Sequence, residues 1–371
     1  MTARRMLSKL PARQLRYVQP VFDPAPGTVT ADVYDQVEQD LRVVIPPVLL
    51  HSPAPDVLAA YWALMRETLH AAGTVPRRDK EIVAAAVSVA NICPYCADMH
   101  SIGMYDLSTE HEAEAIVRDR IDELDDDRLR RHAAWARAAH TPDVSTGAPP
   151  FPEDHRPELV GVVVAFHYLT RMVNVFLSNF LLPPRLAPAA RRRLKHGISR
   201  ILAPTLRADR EPGLSVPLLP DAALTGSAAW AAGSPVVAAA VARAYAAFEA
   251  AGERSVPDPV RALVGRRLAG WRGEETGLSR QWCEDLIAEL PARERAAGRV
   301  ALLTALASYQ VDEDVIGEFR NGCPDDRVLV ETAAWASFAA ARRIGEWHVP
   351  AYARTPDAQS ETNTPADARA C

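Results

Sequence analysis

Thirty prolines divide this 371-residue chain. The segments between them are built mainly from alanine, leucine, arginine and glutamate, which give up little on entering a helix. Period-two alternation of β-branched residues is nearly absent, so no strand pattern competes with the helical one. An all-α fold follows. Helices are expected at about 31–43, 56–72, 78–91, 94–105, 109–117, 126–139, 158–180 and 188–201. Thr109 and Glu112 have capping-box spacing at one of these starts.

From 202 to 232 the helical periodicity lapses and Pro, Gly and Ser accumulate, as in a linker. The expected organisation is therefore an N-terminal extension at 1–45, a helical domain at 46–201, a proline-rich linker at 202–232, a second helical domain at 233–348 and a tail at 349–371. The tail is polar and is expected to be disordered. The second domain reads as a faint copy of the first. "PRRDKEIVAAAVSVAN" (76–91) pairs with "PARERAAGRVALLTAL" (291–306), and "VAFHYLTRMV" with "WASFAAARRI", which sets Arg171 opposite Arg342. An ungapped match sets Ala296, Ser308, Val311 and Val315 opposite Glu81, Cys93, Cys96 and His100. The chain then reads as two tandem lobes, the second a degenerate scaffold. Convergence of two alanine-rich helices is the competing explanation.

The charges, 42 basic and 47 acidic, sum to −5. That balance offers no basic footprint for nucleic acid and no polybasic membrane patch. The most apolar stretch, "ELVGVVVAFHYLTRMVNVFLSNFLLPP", is interrupted by His167, Arg171 and two asparagines and reads as a buried helix rather than a membrane span. The first twenty residues contain no apolar run of signal-peptide length. A cytoplasmic location is expected, where thiols are kept reduced. Five cysteines at irregular positions make no disulfide framework.

Two of those cysteines, Cys93 and Cys96, stand in "CPYCADMH" with His100 four residues after the second. Pro94 suits the first turn of a helix, which would put Cys93 at the N-cap and Cys96 in the first turn. Cys96 and His100 would share a face. A helix N-terminus favours a thiolate, and a neighbouring base can accept its proton. Glu81 precedes Cys93 by twelve residues, inside an otherwise apolar helix. An antiparallel return by the next helix would bring His100 back to it, where a carboxylate could fix the tautomer. Two other readings compete. The cysteines could be small buried residues, or part of a zinc site. For zinc, Cys93, Cys96 and His100 supply three ligands at most, with no second pair nearby.

The spacing Glu81–x11–Cys93–x2–Cys96–x3–His100 resembles the active-site signature of alkyl hydroperoxidase D (AhpD), within the carboxymuconolactone decarboxylase superfamily. The resemblance covers about 52–107, with weaker support from "FHYLTRMVNVF". It implies an AhpD-like helical fold and a thiol-dependent peroxidase or thiol–disulfide oxidoreductase. By that resemblance Cys96 is the peroxidatic cysteine, Cys93 resolves it, and Glu81 with His100 forms a proton relay. Peroxide would oxidise Cys96 to a sulfenic acid, Cys93 would close a disulfide, and a dithiol protein or small thiol would reset the pair. The implied partners are a hydroperoxide or disulfide substrate and that reductant. No flavin, haem or metal is implied. Tyr95 stands where AhpD has a relay histidine. With His167 and Arg171, it is a candidate for lining the substrate entrance. AhpD relatives assemble from single-lobe subunits, so a duplicated chain leaves both monomer and homo-oligomer open. A redox sensor without turnover is one alternative function. A lactone decarboxylase is another, which the CxxC pair disfavours.

Overall fold

The computed structural model describes residues 11–143, 147–183 and 185–353. Cys371, nearly all of the polar tail and the first ten residues lie outside them. Helices are the regular structure of the described residues, whose only strand-like pairing is an isolated bridge from Leu15 to Leu177.

In the first half α1 is Val29–Leu41, α2 Pro46–His51, α3 Pro55–Met65, α4 Arg77–Ala90, α5 Pro94–Leu107, α6 Glu110–Val117, α7 Asp127–Ala138, α8 Arg156–Phe176 and α9 Pro188–Leu206. In the second half α10 is Pro235–Ser255, α11 Asp258–Ala269, α12 Gln281–Ile287, α13 Arg295–Leu306, α14 Glu313–Gly322 and α15 Asp326–Trp347. Side-chain caps mark several starts. Thr28, Thr109, Asp126, Ser234, Asp312 and Asp325 each accept a backbone N–H from the following turn.

α4 is the central element of the first half. Ala84, Ala85 and Ala86 are wholly buried, and small side chains there let α5, α7 and α8 approach α4 closely. α8 packs against α15, and α3 against α10. α4 packs on α8 as α13 packs on α15. One continuous apolar core runs through both halves. The 24-residue segment Glu153–Phe176 is long and apolar enough to cross a membrane, but 94% of its apolar window is buried inside the molecule.

Three boundaries differ from expectation. The α3 pattern ends at Met65, and Arg66–His70 continues as a π-helical turn. α8 stops at Phe176 rather than 180, because Leu177 turns extended and the N-terminal segment pairs with it. Arg16 N–H donates to Phe176 O at 2.7 Å, and Ser178 N–H to Gln14 O at 2.9 Å. α9 carries on through Pro204 to Leu206, five residues into the stretch expected as linker.

The rest of that stretch is also fixed. Glu67 accepts from Gly213 N–H at 2.7 Å and from the Ser215 hydroxyl at 2.6 Å. Arg210 donates to Asp40 O at 2.7 Å. Trp230 is 1% exposed and wedged between α8 and α15. The glycines facing it permit this. A Cβ on Gly345 would lie 3.0 Å from Trp230 Nε1 and 2.9 Å from Val164.

Candidate functional site

The site is built where α4 and α5 run antiparallel. Ile92, at the turn between them, has φ 51°, a left-handed conformation that a β-branched residue adopts only under constraint. Cys93 follows as the N-cap of α5, with Pro94 at the first helical position. Cys96 N–H donates to Cys93 Sγ at 3.4 Å, and both thiols are free and buried. Positions three apart on a helix lie within the span a disulfide bridges.

One turn on, His100 Nδ1–H donates to Glu81 Oε2 at 2.7 Å. Because a carboxylate only accepts, this bond fixes the tautomer and leaves Nε2 of a neutral ring as the basic nitrogen. On its other oxygen Glu81 accepts from Arg77 Nε at 2.7 Å. Burial alone would raise the Glu81 carboxyl. The Arg77 charge, then His100, outweigh it and hold the group at about 2. Arg77 also lies 3.2 Å from His70 Nδ1, at the end of the π-helical turn. Burial first, then Arg77, pulls His70 well below the ordinary histidine value.

Cys96 is opposite in character. Burial, and next its hydrogen bond to Cys93, push its thiol well above the usual range. That direction is opposite to the lowering a helix N-terminus exerts on a thiol. Among the described residues no direct hydrogen bond joins Cys96 to His100. Both line one cavity of about 160 Å³, together with Glu81 and Arg77. Tyr95 lines it too, and its hydroxyl donates to Gln14 at 3.1 Å. The remaining wall is mainly apolar, with Tyr61, Met65, Leu169 and Val173, and with Leu202 and Leu206 from α9. These α9 residues could not be found from sequence, because they fall in the stretch that reads as linker.

Cys93 lines a different cleft on the outer side, of about 330 Å³, bounded by Ile92, Asp98, Phe180 and Arg191. His167 and Arg171 line neither space. They lie on the opposite face of α8, where Arg171 donates to Ala305 O at 2.8 Å. Among the described residues no three His, Cys, Asp or Glu side chains are grouped as a metal ion would need.

Residues 55–138, which carry α3 to α7 and all four polar site residues, match the carboxymuconolactone decarboxylase family. A Mycobacterium tuberculosis protein named alkyl hydroperoxide reductase is 35% identical over 334 residues, spanning 90% of this chain and 94% of the relative.

Proposed function

The chain belongs to the AhpD-like carboxymuconolactone decarboxylase family, and within it we propose a thiol-dependent peroxidase working through Cys96 and Cys93. One observation carries the reading: Cys96, His100 and Glu81 face a single cavity, with the His100 tautomer fixed by Glu81. His100 Nε2, directly or through one water, takes the Cys96 proton as the thiolate forms. The thiolate sulfur attacks the distal peroxide oxygen, the O–O bond breaks, and the proton taken up by His100 goes to the departing alkoxide or hydroxide. Cys96 is left as a sulfenic acid. Cys93 attacks that sulfur, water leaves, and a disulfide remains. A dithiol reductant returns two electrons and two protons by exchange. The mainly apolar cavity suits an alkyl hydroperoxide. The outer cleft gives the reductant a separate approach to Cys93.

A second assignment of roles has its own support. The Cys96 N–H at the start of the helix points to Cys93 Sγ, and that donor favours charge on Cys93 rather than Cys96. Single cysteine variants separate the two. With Cys93→Ser, peroxide should leave a trappable sulfenic acid on Cys96 and no intramolecular disulfide. With Cys96→Ser, peroxide consumption should drop to background. The inverse pattern reverses the roles. Full turnover in both variants would remove the thiols from the function. Thiols that oxidise once without turnover, given a dithiol, would make the protein a sensor. Release of carbon dioxide from a lactone acid would make it a decarboxylase.

A further inference from the structure

Where the two halves meet, Arg171 is 6% exposed and meets no carboxylate. Its Nε donates to Ala305 O and its Nη1 to His167 O, both neutral acceptors. Nη2 has no protein acceptor among the described residues. Burial lowers the guanidinium only to about 10, so it stays charged at neutral pH. A buried cation of this kind is strongly disfavoured unless a counter-charge reaches it.

The neighbours do not supply one. His167 is fully buried beside it and accepts from Asn91 at 2.8 Å. His140 lies across the same space, with the Arg137 charge beyond it. Arg137 is itself engaged by Asp119 at 2.9 Å. The nearby acids, Glu274 and Glu275, are exposed at the mouth, and Glu274 accepts from Arg272 N–H in its own turn.

Arg171 faces a cavity of about 70 Å³ that it shares with Asn91, His140, Thr276, Ser308 and Tyr309. The Thr276 oxygen is buried there without a hydrogen-bond partner. Ser308 Oγ accepts from Asn174 at 3.1 Å, which leaves its own proton to donate. The space holds only a handful of water-sized volumes. A guanidinium edge with two hydroxyl donors matches a carboxylate. Glu274 and Glu275 at the mouth would repel a dianion more than a monoanion.

We propose that this cavity is a binding site for a small monocarboxylate, held by Arg171 Nη2 with Thr276 and Ser308 donating to it. The proposal stands apart from the thiol chemistry. Its test is titration of the full chain with sodium acetate and with phosphate at constant ionic strength, followed by calorimetry and thermal unfolding. Acetate should bind saturably and raise Tm, and phosphate should bind more weakly. Arg171→Met should weaken acetate by about tenfold or more, the scale of one charged hydrogen bond, while Glu275→Gln should strengthen it. Absence of saturable acetate binding, or unchanged affinity in Arg171→Met, would overturn the proposal. Should Arg171→Met not fold, Thr276→Val and Ser308→Ala must each weaken acetate roughly threefold, a fraction of one neutral hydrogen bond. Unchanged affinity in both would overturn it equally.

Discussion

Glu81 is held between two cationic or proton-donating partners, Arg77 and His100, at 1% exposure. Its folded pKa of about 2 lies below the ordinary 4.5, so the unfolded chain takes up the proton first as pH falls. The stability Glu81 contributes is therefore complete above about 4.5 and is lost as pH drops through about 2. Its size is on the order of 3 kcal/mol at neutral pH. Glu81→Gln should lower stability in denaturant titrations at pH 7, with the difference from wild type shrinking towards pH 2. An unchanging difference would place the loss in packing instead. Glu81→Gln and His100→Ala should each slow Cys96 oxidation while leaving both thiols titratable. Because burial pushes the Cys96 thiol up, that kinetic deficit should persist past pH 8.5 and close only at higher pH. Stopped-flow rates across pH check it.

At the scale of elements, α9 is attached unlike the others. Only Lys195 and Ser199 of its residues are buried, and ion pairs tie it to α5 and α6. Lys195 Nζ lies 3.0 Å from Asp98 and 2.8 Å from Glu114, while Arg207 pairs with Asp106 at 2.7 Å. Asp98, which sits inside the CPYC helix, thus serves as an anchor for the cavity wall that Leu202 and Leu206 provide. Asp98→Asn should increase amide hydrogen exchange in 188–206 by tenfold or more, about 1.4 kcal/mol of local opening, with α4 unaffected. Added salt should accelerate exchange in the same segment, since its more exposed pairs are screened. Uniform exchange changes across the molecule would contradict this view of α9.

Across the whole molecule, the continuous core and the fixed segment 207–232 join the halves. Trp230 lies at their junction, with Gly161 of α8 and Gly345 of α15 on either side. Trp230→Ala should cost about 3–5 kcal/mol and lower the one transition expected of a shared core. Two separable calorimetric transitions in the wild type would show that the halves unfold independently.

Much of this was legible in the chain itself. Helix formers between prolines determined the all-α class, and the spacing of Glu81, Cys93, Cys96 and His100 set these four groups on two adjacent helices, because helical periodicity is local and such a pair needs only a short turn to close. What the sequence could not give was set by contacts between distant segments. Leu177 ends α8 because residues 14–16 reach it, and α9 outlasts its apparent stop, with Arg207 at its end paired to Asp106 of α5. His167 and Arg171 share a face, as their spacing required, but which way that face points depends on the rotation of α8 between α4 and α15. Packing turned it away from the thiols and towards Ala305 and Ser308. Likewise, the protonation of Cys96 depends on burial, which no local pattern encodes. Residue type and spacing fixed the helices and the chemical groups available; tertiary packing decided the cavities they face and the charge they carry.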